Sequence, residues 1–158
     1  AISKNHKKVK LILVGTKENA HNPKKRRMFH TIYNNENIIT VGFQEEVRPY
    51  YAISNVLILP SYREGFPNAV LQAGAMGLPS IVSDISGCNE IIEHEVNGLL
   101  VPKKNHQELQ KTMEKILVTP NFLESLQKNA RNRVAESFDK SLVWKELKKE
   151  YVKALNEL

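Results

Sequence analysis

A single carboxylate, Glu64, stands in the segment Pro60-Ser61-Tyr62-Arg63-Glu64-Gly65-Phe66-Pro67-Asn68. An apolar run that ends at Leu59 precedes the segment, and an alanine-rich apolar stretch begins at Asn68. That order reads as strand, loop and helix amino-terminus. In parallel α/β sheets, such loops lie at the carboxyl ends of the strands, where ligands bind. The free N–H groups and positive dipole end of the helix suit an anion such as phosphate. Glu64 repels phosphate and better serves hydroxyl groups, so the pair points to something like a sugar phosphate. The competing reading is a helix-entry loop whose Glu64 is a solvated surface carboxylate. The residues alone leave both open.

Other chemistries lack their residues. Dinucleotide binding needs Gly-x-Gly-x-x-Gly after the first strand, and the chain has Gly15-Thr16-Lys17-Glu18-Asn19-Ala20, with one glycine. A Walker loop and a Gly-x-Ser-x-Gly nucleophile elbow are both absent. His94-Glu95 could begin a zinc helix, but Gly98 stands where the second histidine belongs. His6, His21, His30, His94 and His106 are scattered, so no metal and no cofactor is expected. Ser61 and Ser86 read as loop and turn residues. The single cysteine, Cys88, excludes an internal disulfide framework, agrees with a reducing compartment and reads as a small buried residue.

Strand and helix alternate along the chain. Strands are expected at Val9 to Val14, Asn37 to Val41, Val56 to Leu59, Pro79 to Ser83 and Gly98 to Val101. Helices are expected at Lys24 to Asn34, Glu45 to Ser54, Asn68 to Met76 and Glu90 to His94, with Gly77 as a carboxyl cap. Thr16 to Pro23 reads as a loop and Asn97-Gly98 as a tight turn. From Asn105 the chain reads as all helix: His106 to Val118, Asn121 to Ser137, and Leu142 to Leu158. In the last, Trp144, Leu147, Tyr151, Leu155 and Leu158 form one apolar stripe. The expected fold is α/β: a Rossmann-like parallel sheet of about five strands with helices on both faces and a helical carboxyl-terminal segment. The 158 residues, 41% hydrophobic and 25% charged, suit one globular domain spanning 1–158, α/β over 1–104 and helical over 105–158.

Net charge is +6 and the pI near 9.4, with basic residues clustered at Lys4 to Lys10, Lys24 to Arg27 and Lys145 to Lys153. These blocks read as solvated faces or as peripheral contact with an anionic membrane at its inner face. Nucleic acid is not an expected partner, because the aromatic residues are not interleaved with the basic blocks. No apolar run approaches the ~20 residues that span a bilayer. Ala1 to Lys10 lacks the apolar core of a signal peptide, so a cytoplasmic location is expected.

Several spaced motifs in order carry a resemblance. Pro60-Ser61-x-x-Glu64-Gly65-Phe66-Pro67-Asn68, then Ala73-x-x-Met76-Gly77-x-Pro79, resembles the signature of the group 1 family of retaining glycosyltransferases. The flanks agree: Val41-Gly42-Phe43, Asp84-x-x-Gly87-x-x-Glu90-Ile91-Ile92 and Asn97-Gly98-Leu99-Leu100-Val101-Pro102. The match runs from about Lys10 to Leu117. It implies one half of a GT-B fold, the carboxyl-terminal domain that holds a nucleotide diphosphate sugar. The implied activity is hexosyl transfer to an acceptor hydroxyl with retention, as in bacterial surface polysaccharide synthesis. A glycan or lipid-linked acceptor would be held by the amino-terminal domain.

By the resemblance, Glu64 contacts the donor sugar as the catalytic-site carboxylate, and the amides of Gly65, Phe66, Pro67 and Asn68 line the sugar and diphosphate region. Pro67 itself offers no N–H. The family's second glutamate, which binds the ribose hydroxyls, falls on Gln72. One turn along from Asn68, Gln72 still faces the site. A carboxylate accepts from both ribose hydroxyls, whereas the amide has one acceptor oxygen, so weaker ribose binding is expected. Phe43 is a candidate for lining the base pocket, with core packing as the other reading. Glu90 is first a helix-start residue. The arginine and lysine with which the family grips the diphosphate should precede Val9, and neither Lys17 nor Arg63 stands at their places. The chain is therefore expected to be part of a longer enzyme and inactive alone. The alternatives are a non-catalytic sugar-nucleotide-binding module, with Gln72 as its mark, and an epimerase on a related fold.

Overall fold

A computed structural model describes residues 2–16 and 23–157 of the chain. Most of the loop expected over Thr16 to Pro23, with Lys17, lies outside the described residues. The chain divides into two compact units, Ala1–Tyr50 and Tyr51–Leu158.

The first unit holds α1 (Ile2–Asn5), β1 (Leu11–Val14), α2 (Pro23–Tyr33), β2 (Ile38–Gly42) and the start of α3 (Arg48–Ala52). α1 carries no signal that the sequence reading used. β1 and β2 pair in parallel, with Leu11 opposite Ile38 and Leu13 opposite Thr40, then a register shift that sets Val14 opposite Gly42. Gly42 absorbs the shift at φ +70°, and its carbonyl accepts from Gly15 N–H at 2.8 Å. β1 was expected as a buried strand, yet Leu11 and Val14 remain exposed. A two-stranded sheet leaves more of each strand uncovered than a central position in a wider sheet does.

The second unit is built on β3 (Leu57–Leu59), β4 (Ser80–Ser83) and β5 (Gly98–Val101), parallel and in the order β3-β4-β5. Five strands are thus present, as the alternation predicts, paired in parallel within one sheet of two and one of three rather than in a single sheet. Around β3, β4 and β5 stand α4 (Asn68–Ala75), α5 (Cys88–Ile91), α6 (His106–Val118) and α7 (Pro120–Ser137). Residue alternation assigns the faces. Ile58, Ile81 and Leu99 share a register row and pack with Ile116 of α6 and Leu126 of α7. The next row, Leu59, Val82 and Leu100, packs with Val70 of α4 and Cys88 and Ile91 of α5. Helices therefore cover both faces of this sheet.

Local chemistry explains where these elements stop. α4 ends in a Schellman motif: Leu78 N–H donates to the Ala73 carbonyl at 2.9 Å and Gly77 N–H to that of Gly74 at 2.8 Å, with Gly77 at φ +75°. α4 crosses α7 closely at Gly74, where a Cβ would stand 2.6 Å from a Val134 methyl. Asn97-Gly98 is more than a turn. Buried Asn97 accepts from Glu93 N–H at 2.7 Å and donates to the Ile91 carbonyl at 3.1 Å. Gly98 lets β5 approach β4, since a Cβ there would lie 2.6 Å from the Ser80 carbonyl oxygen.

Asp139 caps α8 (Lys140–Asn156), its carboxylate accepting from Ser141 N–H at 2.8 Å. The apolar stripe of α8 is present but uncovered: Trp144 is 67% exposed and Leu155 70%. Among the described residues no helix is long and apolar enough to cross a membrane.

Candidate functional site

The Glu64 loop leaves the carboxyl end of β3 at Pro60 and enters α4 at Asn68. Pro67 occupies the position before the helix at φ −74° and ψ 102° and offers no side-chain cap. A proline there pre-sets the backbone for helix entry and leaves the first N–H groups without a side-chain acceptor, which keeps the positive helix end open to an anion. Asn68 is the first helical residue and exposed.

Glu64 is half-buried and anchored. The Ser61 hydroxyl donates to its carboxylate at 2.5 Å, within the range of charge-assisted O–H···O⁻ bonds. The side chain is therefore not turned out to bulk solvent. Ser61, read from the sequence as a loop residue, is the partner that reading missed. Its spacing of three residues before a carboxylate in a Pro/Gly-punctuated loop was the available signal.

The loop is seated on the next strand's exit. Gly87, φ +83°, stands so close to the Gly65 carbonyl that a Cβ on it would lie 2.1 Å from the oxygen. Gly87 N–H donates to the Glu90 carboxylate at 3.1 Å, so Glu90 performs the helix-start role expected of it. Cys88 follows, buried, and its thiol pKa is raised first by burial and second by the nearby charge of Glu64.

Gln72 lies on α4 and is exposed; the Tyr51 hydroxyl donates to its side-chain oxygen at 3.3 Å. The amide oxygen thus has one partner inside the protein. Burial raises the pKa of Tyr51. Phe66 is 44% exposed and stacks on Phe138, ring centroids 5.6 Å apart. Phe43 belongs to the first unit and is 66% exposed, so it is not packed in a core. Within the second unit the fold thus brings together Glu64, Gly65, Phe66, Pro67 and Asn68 in one loop, with Gln72 one helical turn on. Among the described residues no group of three or more His, Cys, Asp or Glu could hold a metal ion. A broad concavity along α8, lined by Lys145, Lys148, Lys149 and Lys153, shares no residue with the Glu64 loop.

Comparison with known proteins bears on this geometry. The family model described as glycosyl transferases group 1 matches residues 1–133. The capsular polysaccharide biosynthesis glycosyltransferase CapM of Staphylococcus aureus is 26% identical over 149 residues, 94% of this chain and 39% of that protein. The UDP-Gal:alpha-D-GlcNAc-diphosphoundecaprenol alpha-1,3-galactosyltransferase of Escherichia coli is 29% identical over 102 residues, covering 65% of this chain and 26% of that one. Among solved structures, the sucrose-phosphate synthase of Thermosynechococcus elongatus superposes with a TM-score of 0.83 at 28% identity, over 94% of this chain and 39% of that chain. The chain thus spans about two fifths or less of the length of these relatives.

Proposed function

Because the chain belongs to the group 1 glycosyl transferases and folds as one half of the GT-B architecture, we propose that its Glu64 loop is the donor site of a retaining hexosyltransferase. The observation that carries this is the anchored carboxylate of Glu64, bound to Ser61 at 2.5 Å, one loop away from a helix amino-terminus without a side-chain cap. An acceptor-only group suits sugar hydroxyls, and the open helix end suits a diphosphate. The E. coli relative named for UDP-Gal supports a nucleotide diphosphate sugar as the donor. CapM and that relative support a role in bacterial polysaccharide synthesis, with a glycan or lipid-linked acceptor held outside this chain.

Glu64 orients the sugar, while the α4 amino-terminus stabilises charge developing on the departing diphosphate. Neither a metal nor a cofactor enters this scheme. Gln72 meets the ribose with weaker hydrogen bonding than a carboxylate would. The chain alone does not turn over. The net charge of +6 and the lysines of α8 support peripheral contact with an anionic membrane from the cytoplasmic side.

Calorimetry with UDP, GDP and ADP and their sugar conjugates tests the assignment. Glu64→Ala should weaken the cognate nucleotide sugar by about tenfold, or ~1.4 kcal/mol, and leave the bare nucleoside diphosphate nearly unchanged. Equal loss for both ligands, or binding of none by the parent chain, would refute it.

A further inference from the structure

The carboxyl end of α7 reaches the Glu64 loop through one aromatic contact and the segment beneath the loop through one arginine. Phe138, which follows the helix, is half-buried among Val70, Val82, Cys88, Ile91 and Ile92. Its ring stacks on Phe66 at a centroid distance of 5.6 Å and an interplanar angle of 59°, a tilted geometry favoured by aromatic quadrupoles. Arg133, one turn earlier, lies over the same ring: its guanidinium carbon is 5.6 Å from the Phe138 centroid. The same guanidinium donates from Nη2 to the Glu90 carbonyl and from Nη1 to the Ser137 hydroxyl, both at 3.3 Å. Its Nε is buried without a hydrogen-bond partner. Glu90 in turn accepts from Gly87 N–H at 3.1 Å, and Gly87 abuts the Gly65 carbonyl.

We propose that Phe138 and Arg133 are positioning residues that brace the Glu64 loop, Phe138 through Phe66 and Arg133 through Glu90 and Gly87. Neither makes a contact with Glu64 itself among the described interactions. Each holds one neighbour of it: Phe66 lies two residues after Glu64 and Gly65 one. The bracing comes from residues about seventy positions away in sequence, and adds to the Ser61 hydrogen bond and the Gly87 seat that hold the loop from nearer by. The consequence for donor binding rests on the function proposed above; the ordering of the loop does not.

The test uses the 158-residue chain, with amide hydrogen exchange read by NMR and nucleotide-sugar affinity read by calorimetry. Phe138→Leu keeps most of the apolar volume and removes the ring. It should speed exchange at Val70 and Leu71, whose N–H groups bond the Pro67 carbonyl where the loop enters α4, about fivefold beyond any change at Ile81 and Val82 of β4, and weaken the cognate nucleotide sugar by a similar factor. Phe138→Tyr, which keeps the ring, should restore both. Arg133→Lys keeps the charge, loses the fork and should loosen the loop in the same way. Exchange at Val70 and Leu71 that rises no more than exchange in β4 would show a merely structural role and overturn the brace. A loosened loop with unaltered donor affinity would uphold the brace and overturn its consequence for donor binding. If the parent chain binds no nucleotide sugar, the donor assignment fails by itself and the exchange data still decide the brace.

Discussion

Replacing Gly87 by alanine attacks the one place where two backbone segments of the site touch. Gly87 lies at φ +83° and ψ −46°, a conformation that costs a residue with a Cβ about 1–2 kcal/mol. The new methyl would stand 2.1 Å from the Gly65 oxygen and 2.8 Å from its carbonyl carbon. Both are backbone atoms, so no side chain can swing away. Reaching an ordinary contact near 3.4 Å requires the loop to retreat by about 1.3 Å, and overpacking of that kind costs about 1–3 kcal/mol. The expected loss is therefore about 2–5 kcal/mol, a large share of the ~5–15 kcal/mol that domains possess. Gly65→Ala is the control, because nothing lies within 4 Å of a Cβ there; it should stay within about 0.5 kcal/mol of the parent. Urea unfolding followed by far-ultraviolet circular dichroism measures both. Gly87→Ala unfolding at the parent midpoint, or Gly65→Ala matching its loss, would refute the placement of the loop on Gly87.

Asn97→Ala leaves the Ile91 carbonyl and Glu93 N–H unpaired inside the protein and should cost about 2–4 kcal/mol, read as a lowered thermal midpoint. Gln72→Glu replaces an amide whose oxygen is engaged by Tyr51 and should tighten donor binding about fivefold by calorimetry; unchanged or weaker binding counts against ribose contact at this position. The folded thiol pKa of Cys88 is raised, so the unfolded chain loses that proton first as pH rises. Stability from this group is complete below the ordinary thiol pKa of about 8.5 and declines as pH climbs towards the folded value. Cys88→Ala should flatten that alkaline decline in urea midpoints, and Glu64→Gln should reduce it by removing the second cause of the shift.

Some of this protein was legible in its residues taken in order. The short runs rich in apolar residues that end at Leu59, Ser83 and Val101 locate β3, β4 and β5, because strands covered on both faces carry apolar residues on both. Gly77 marks the end of α4 and Pro120 the start of α7, since these residues act through their own φ and N–H. The loop between Pro60 and Asn68, with Glu64 in it, followed from the same punctuation. Partition of the strands into sheets of two and three did not, because pairing depends on which strands meet and not on their order. The stripe of α8 was visible as a period, but its exposure depends on what packs against it. The joining of Gly87 to Gly65 and of Phe138 to Phe66 was decided by the tertiary structure alone. Local signals act over one helical turn, whereas these contacts arise only when packing of the sheet and α7 brings distant backbone and rings within a few ångströms.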